Sequence, residues 1–268
     1  MALTPAVMGV VNVTPDSFYP ASRTAAVDEA LERGRSHLAD GADLLDVGGE
    51  SSRPGAEPVA EAEEARRVLP VLERLAELST VSVDTTKARV AREALAAGAR
   101  IVNDVSGTLY RVAGEHGAGY VAMHRRGDAR TMQKDPRYGD VVGEVLAHLD
   151  DLAGRSRAAG VGALWLDPGI GFGKTTAHNL ALLAHLDDLV ALAERHEAGV
   201  LVGTSRKRFL GELGPAPLGV DDRLEGSIAT EAWCLVHGAA VIRVHDVRAA
   251  VQLRDLLARP LEAVAPCR

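Results

Sequence analysis

Residues 80–107, TVSVDTTKARVAREALAAGARIVNDVSG, contain one complete strand–helix–strand unit. The apolar runs Thr80–Asp84 and Arg100–Asp104 are predicted strands, and the segment between them is predicted to be a helix. The dipeptide Gly98-Ala99 marks the end of that helix, because a glycine at the C-cap directly before a strand is typical of such a junction. Two strands joined through a helix favour a parallel sheet.

The same unit recurs along the whole chain. Apolar residues at helical spacing predict helices over Val59–Leu78, Tyr138–Ala159 and Ala177–Arg195. A (β/α)8 barrel typically needs about 250 residues, so the 268 residues fit one barrel domain spanning 1–268, with a doubly wound open sheet as the alternative. The predicted strands are Ala6–Asn12, Asp43–Gly48, Thr80–Asp84, Arg100–Asp104, Gly119–His124, Ala163–Asp167, Gly199–Thr204 and Ala240–His245.

Polar side chains stand where nearly every predicted strand ends, and they favour the barrel over the open sheet. In a barrel the carboxyl ends of the strands meet on one face, which carries the active site. An open sheet would spread the same residues along a line. They are Asn12, Asp46, Asp84, Asn103, His124, Asp167, Ser205, Arg243 and His245.

Net charge, cysteine spacing and the length of apolar runs argue against several classes of protein. The net charge of −7 argues against non-specific binding of nucleic acid, which depends on neutralising phosphates. The two cysteines have no metal-binding spacing, which favours a reducing compartment. The N-terminal segment has no basic stretch and is interpreted as a strand, and no apolar run reaches the ~18 residues of a membrane helix. We therefore expect a cytoplasmic protein without nucleic-acid or membrane partners.

Carboxylate and amide groups follow three apolar strands, at Asp84, Asn103 and Asp167. A buried carboxylate needs hydrogen-bond donors, and a ligand with an amino-amidine edge offers two adjacent N–H groups. Asn103 can both donate and accept beside them. Capping of the following helices is the alternative for any one of these residues. Three such strand ends together with Lys207 favour a ligand site.

Basic residues after strands seven and eight indicate an anion site. Lys207 follows strand seven, and Arg243 and His245 end strand eight, where barrels frequently hold phosphate. Arg53 follows strand two, and arginine suits planar anions. Asn12 offers an oxygen suited to Mg2+, although a purely structural asparagine remains an alternative.

The segment 167–174, DPGIGFGK, resembles a phosphate-cradling loop, but it lacks the spacing of a known phosphate motif, and a glycine-rich turn that serves only geometry is the alternative.

Together the motifs resemble the dihydropteroate synthase family over essentially the whole chain. They are MGVVNVTPDSF, GADLLDVGGESSRPG, VSVDTTK, IVNDVSG, AMH, TMQKDPRY, LDPGIGFGKT, GTSRKRFLG and RVHDV. The resemblance implies a (β/α)8 barrel that joins 6-hydroxymethyl-7,8-dihydropterin diphosphate to 4-aminobenzoate in folate biosynthesis. Further implications are an SN1-like substitution, Mg2+ as cofactor, membership of the enzyme family that sulfonamides target, and a homodimer through helices on the outside of the barrel. No nucleophile motif is apparent, which agrees with catalysis by positioning and electrostatic stabilisation.

The resemblance also assigns residues to each substrate and to catalysis. The catalytic set is Asn12, Arg53, Lys207, Arg243 and His245, and the metal ligand is Asn12. The pterin would contact Asp84, Asn103, Met123, Asp167, Phe172, Gly203, Lys207 and Arg243. The diphosphate would contact Asn12, Arg53, Arg243 and His245, and 4-aminobenzoate would contact Phe18, Ser52, Arg53, Pro54 and Ser205.

Two segments depart from the family pattern. Pro20 stands where the family usually has an acidic residue that assists the metal, and proline cannot replace it. The segment Gly107–His116 is shorter than usual and predicts a trimmed fourth helix. Pro20 favours an alternative function, a weakly active paralogue that binds pterin as a sensor or assembly partner. A methyltetrahydrofolate-binding methyltransferase is a third interpretation, and the GESSRPG motif argues against it.

Overall fold

Eight parallel strands form a closed barrel in which each strand pairs with the next and β8 pairs with β1. The structure is a computed structural model that describes residues 4–13, 20–51, 57–128 and 130–258, with side chains omitted for 20–25. The predicted barrel is confirmed, and the open sheet is excluded. The strands are β1 (Ala6–Asn12), β2 (Leu44–Gly48), β3 (Thr80–Asp84), β4 (Ile101–Asp104), β5 (Gly119–Met123), β6 (Leu164–Asp167), β7 (Gly199–Val202) and β8 (Val241–Val244).

Helices connect successive strands and cover the outside of the barrel. Within the described residues, none of them is long and apolar enough to cross a membrane. A short 3-10 helix, Arg208–Glu212, follows β7. The α-helices are α1 (Pro20–Ala39), α2 (Glu61–Ala76), α3 (Ala88–Ala96), α4 (Tyr110–Glu115), α5 (Val141–Ala158), α6 (Thr176–Ala184), α7 (Leu186–Arg195), α8 (Leu224–Val236) and α9 (Val247–Leu257).

The helix predicted over Ala177–Arg195 is wrong as a single element. The chain leaves helical geometry at His185, where φ is −110° and ψ is 30°, so two helices result. Both halves bury leucines, and their shared helical periodicity hid the break. The trimmed fourth helix is confirmed, since α4 has only six residues. The glycine of the Gly98-Ala99 junction has a φ of 108°, as a C-cap in the left-handed region requires.

The barrel interior has an apolar layer below the level at which the charged and amide side chains of the strand ends lie. Six buried apolar residues fill the interior as one cluster: Met8, Leu44, Ile101, Val121, Leu201 and Val241. Residues two apart on a strand face the same side. The residues two positions after five of them are Asp46, Asn103, Met123, Gly203 and Arg243. The strand period therefore places these five residues directly above the apolar layer, toward the carboxyl end of the barrel.

Candidate active site

Neighbouring strands place two pairs of the predicted pterin residues side by side. Asp84 at the end of β3 is in register with Asn103 of β4. Met123 at the end of β5 is in register with Asp167 at the end of β6. Asn103, Met123 and Asp167 are buried. These four residues, predicted from separate motifs, thus line one half of the mouth of the barrel.

Arg243 joins the other side of the barrel to these residues. Its Nε donates to Asp46 Oδ2 at 2.6 Å, and its Nη2 donates to Asp84 Oδ2 at 3.0 Å. The amide of Asn103 also donates to Asp46 Oδ2, at 2.9 Å. Asp46 is completely buried, and its Oδ1 atom has no hydrogen-bond partner among the described residues. One buried carboxylate therefore orients two of the predicted ligand residues.

Asp46 was missed as a site residue by the sequence interpretation. It was noted as one of the polar strand ends, but the family resemblance gave it no ligand. Its position two residues after Leu44, which faces the barrel interior, was the available signal.

Burial changes the pKa of two acidic residues at the carboxyl end of the barrel. It raises the pKa of Asp84 to about 7, and the Asp46 carboxylate adds to this shift while the Arg243 guanidinium opposes it. Burial also raises the pKa of Asp167, against the influence of the Lys207 ammonium. The backbone N–H of Gly169 donates to Asp167 Oδ1 at 2.7 Å and favours the ionised form.

Lys207 lies against the loop that follows β6. Its ammonium donates to the carbonyl of Ile170 and lies 4.8 Å from the centre of the Phe172 ring, a cation–π contact. Burial lowers the pKa of Lys207 to about 8, although the Asp167 carboxylate opposes this shift. A Cβ atom at Gly203 would lie 3.8 Å from the Lys207 ammonium and 3.6 Å from Cβ of Arg243. Lys207, Phe172 and Gly203 therefore lie next to one another at the carboxyl end of the barrel.

The glycines of the DPGIGFGK segment serve close packing of backbone on backbone. Gly169 and Gly173 both have a φ of 66°, in the left-handed region that favours glycine. A Cβ atom at Gly169 would lie 1.9 Å from the carbonyl oxygen of His124, and one at Gly173 would lie 2.2 Å from that of Arg126. These contacts favour the geometric explanation of the segment over a phosphate-cradling loop.

Lys174 ends this segment and is buried, with 3% of its surface exposed. Its ammonium donates to the carbonyls of Gly169 and Phe172, at 3.0 and 3.2 Å, and lies 2.9 Å from His124 Nδ1. Burial lowers the pKa of Lys174 to about 7 and that of His124 to about 3. A neutral His124 can accept from the ammonium. Lys174 thus connects the loop after β6 to the end of β5, a role that the sequence interpretation did not identify.

Ser205 and His245 meet at the ends of β7 and β8. The His245 backbone N–H donates to Ser205 Oγ at 3.1 Å, and His245 Nδ1 lies 3.3 Å from the same oxygen. Asn12 ends β1 and is exposed at the same end of the barrel. Pro20 is the first residue of α1, a position at which proline is well tolerated. The predicted ligands Phe18, Ser52, Arg53 and Pro54 lie outside the described residues.

The described residues contain no group of three or more histidine, cysteine or acidic side chains that could hold a metal ion. Asn12 offers a single oxygen donor in an exposed position. This donor set does not match an all-protein metal cage. It fits Mg2+, which commonly keeps several waters and binds through few protein ligands together with phosphate oxygens.

Known proteins match this chain over nearly its full length. The pterin binding enzyme family matches residues 8–245. The dihydropteroate synthase of Mycobacterium leprae is 44% identical, covering 98% of this chain and 96% of that protein. The dihydropteroate synthase of Thermus thermophilus, solved in complex with 4-aminobenzoate, is 45% identical with a TM-score of 0.83, covering 94% and 93% of the two chains.

A third relative is the dihydropteroate synthase of Yersinia pestis, solved in a sulfonamide drug complex. It is 41% identical with a TM-score of 0.85, and the match covers 95% of this chain and 93% of that one. Sequence, fold and the polar cluster at the carboxyl end of the barrel lead to the same assignment. The chain belongs to the dihydropteroate synthases, transferases of folate synthesis within the pterin-binding enzyme family.

Proposed function

We propose that this chain joins 6-hydroxymethyl-7,8-dihydropterin diphosphate to 4-aminobenzoate, giving 7,8-dihydropteroate and diphosphate. The observation that carries the proposal is the double contact of Arg243 with Asp46 and Asp84 at the carboxyl end of the barrel. It places a guanidinium and two carboxylates within reach of one planar polar ligand. In this proposal residues 1–268 form one barrel domain.

The pterin is proposed to bind deep in the barrel. Asp84 and Asp167 accept hydrogen bonds from its amino and ring N–H groups, since carboxylates are pure acceptors when ionised. Asn103 and Lys207 donate to its ring nitrogen and carbonyl atoms. Apolar contact comes from Met123 and Phe172, and Gly203 leaves room for the ring beside Arg243.

The reaction is proposed to proceed by departure of the diphosphate before attack. The C–O bond at the exocyclic carbon breaks, and its electron pair leaves with the diphosphate. The electron-rich pterin stabilises the resulting cation, and the amino nitrogen of 4-aminobenzoate forms the new C–N bond and releases a proton. Arg243, His245 and Arg53 stabilise the negative charge on the leaving group, which is catalysis by electrostatics and positioning.

Mg2+ is the proposed cofactor, and the carbonyl oxygen of Asn12 is its proposed protein ligand. The bound ion supplies positive charge that neutralises the diphosphate. Asn12 at the end of β1 and His245 just after β8 belong to neighbouring strands, because β1 pairs with β8. This adjacency supports a shared diphosphate site at the seam of the barrel.

4-Aminobenzoate is proposed to bind at the mouth, against Phe18, Ser52, Arg53, Pro54 and Ser205. Ser205 is buried and fixed by His245, so its position is defined before the ligand arrives. The Thermus thermophilus relative binds 4-aminobenzoate, and the Yersinia pestis relative binds a sulfonamide drug. We therefore extend the proposal to sulfonamides as competing ligands of the same subsite.

A cytoplasmic homodimer is the proposed state of the protein. Three large apolar side chains are exposed on two neighbouring outer helices: Leu180 on α6, and Trp233 and Val236 on α8, the last with 68% of its surface accessible. The indole N–H of Trp233 donates to the carbonyl of Leu183, which connects α8 with α6. Exposed apolar clusters of this kind are typical of protein–protein interfaces.

Pro20 keeps a second candidate function open, that of a pterin-binding paralogue with little turnover. A coupled assay for released diphosphate, with both substrates and Mg2+, separates the two functions. Turnover that depends on 4-aminobenzoate supports the proposed reaction. Calorimetry that detects pterin binding without any turnover would overturn it in favour of the paralogue.

A further inference from the structure

Arg206 has a backbone conformation that arginine disfavours. It is the third residue of a turn in which the Lys207 N–H donates to the Thr204 carbonyl at 3.1 Å. Its φ is 56°, and turns with a positive φ at this position prefer glycine. Asp135 and Glu197 share this sign of φ, but Arg206 lies between two proposed ligand residues. The side chain of Arg206 must therefore contribute something that glycine cannot.

The backbone N–H, the backbone carbonyl and the guanidinium of Arg206 all form hydrogen bonds with neighbouring residues. Its N–H donates to Ser227 Oγ at 2.8 Å, and its carbonyl accepts from Arg223 Nη1 at 3.1 Å. Its guanidinium donates to both carboxylate oxygens of Asp246, from Nε at 2.8 Å and from Nη2 at 2.6 Å. Strained conformations persist only where several contacts fix them together, and they concentrate at functional sites.

The ion pair connects two loops that carry ligand residues. Arg206 follows Ser205 and precedes Lys207, whereas Asp246 directly follows His245. The Arg206–Asp246 pair therefore lies next to the contact between Ser205 Oγ and the His245 N–H. Its two parallel hydrogen bonds fix orientation as well as distance.

We propose that Arg206 is a positioning residue, whose bidentate pair with Asp246 sets the spacing between Ser205 and His245. The inference rests on the proposed function, which gives Ser205 to 4-aminobenzoate and His245 to the diphosphate. The pair would hold the attacking amine and the leaving group at a fixed separation. Small displacements between reacting groups cost up to about 100-fold in rate.

Two substitutions distinguish the contribution of the Arg206 side chain from that of the backbone turn. Arg206→Gly keeps the turn and removes the ion pair, whereas Asp246→Asn keeps Arg206 and removes the charge of its partner. Both should raise the KM for 4-aminobenzoate and lower kcat, together by about 10- to 100-fold in kcat/KM. Pterin affinity should stay near the wild-type value, because Lys207 keeps its contacts with Ile170 and Phe172. A purely structural role would instead lower Tm and leave the kinetics of the folded enzyme unchanged.

Glu197→Gly is the matched control. Glu197 has a φ of 52° at the α7–β7 junction, at the opposite end of β7 from Ser205. Glycine there should leave both kinetic constants unchanged.

Calorimetry with inorganic diphosphate and Mg2+ adds a measurement that needs no turnover, and Arg206→Gly should bind this probe about 10-fold more weakly than wild type. Wild-type kinetics and diphosphate affinity in Arg206→Gly would overturn the inference. A wild-type protein that binds the probe but turns nothing over would instead count against the proposed function.

Discussion

Arg243 and Asp46 are 197 residues apart in the chain, yet Arg243 Nε lies 2.6 Å from Asp46 Oδ2 inside the barrel. Asp46 is fully buried, and 20% of the Arg243 side chain is exposed. A charge pair with so little solvent around it depends on both partners, because either charge alone would keep its full cost of desolvation.

Replacing Asp46 by asparagine should weaken both the fold and the pocket. The neutral amide leaves the Arg243 guanidinium with Asp84 as its remaining carboxylate partner, and it weakens the contact that orients Asn103. We expect the free energy of unfolding to fall by about 3 kcal/mol, measured by denaturant titration, and pterin affinity to fall with it. Asp151→Asn, which removes an exposed pair with Arg155, should cost under about 1 kcal/mol. Equal losses in the two variants would contradict a special role for Asp46.

Asp167→Asn tests the pterin assignment directly. The carboxylate accepts from Gly169, and the asparagine amide would present a donor where the pterin also donates. Pterin binding should weaken by about 2–4 kcal/mol, the cost of a mismatched buried polar contact. Calorimetry measures this change, and unaltered affinity would remove Asp167 from the pterin site.

Pterin affinity should have a bell-shaped dependence on pH. Burial raises the pKa of Asp84 to about 7, so below that pH the carboxyl group is protonated and one of its oxygens donates where the ionised group would accept. The pKa of Lys207 is lowered to about 8, so above that pH the ammonium is lost. Tightest binding is therefore expected between about pH 7 and 8, measured by calorimetry across the range. In Asp84→Asn the acid limb should disappear, and its persistence would assign that limb to another group.

Pro20→Asp tests whether proline in place of the acidic residue usual in the family impairs the enzyme. Position 20 begins α1, and an aspartate in the first turn of a helix is favourable to the helix dipole, so the variant should fold. The added carboxylate should lower the Mg2+ concentration needed for half-maximal diphosphate release. Unchanged turnover and Mg2+ dependence would mean that the proline carries no penalty.

A charge on the outer face of α8 should dissociate the proposed homodimer. Val236→Glu places a carboxylate on the most exposed apolar residue of that helix, where burial without a partner is costly. Sedimentation velocity should then show a monomer in place of a dimer. Leu78→Glu, on the turn after α2, is the control and should leave the mass unchanged. A wild-type monomer would exclude the dimer itself.

Much of the fold could be predicted because the strands are short, apolar and separated by regular helices. β1 and β3 have the predicted bounds, and the other strands differ by one or two residues at their ends. The break at His185 could not be predicted, since the leucines on either side continue a helical pattern. Local propensity does not reveal where packing divides such a stretch.

The convergence of polar side chains at one end of the barrel could be predicted where residue type and strand position coincide. Asn103 and Arg243 were identified in this way, and the structure joins both to Asp46. The roles of Lys174 and Arg206 could not be predicted, because they depend on loop conformation. Lys174 donates to carbonyls that come together only in the folded loop. The positive φ of Arg206 could not be predicted from the sequence, because arginine is not a residue type that favours it.

Because β1 pairs with β8, the barrel can close only after the last strand has been synthesised. A ribosome adds about 5–20 residues per second, so Arg243 is synthesised about 10–40 s after Asp46. Until then β1 has an unpaired edge, and such edges invite association with other chains. The last strand to be synthesised both closes the barrel and carries Arg243, so we expect the nascent chain to complete the proposed pterin site in a single late step.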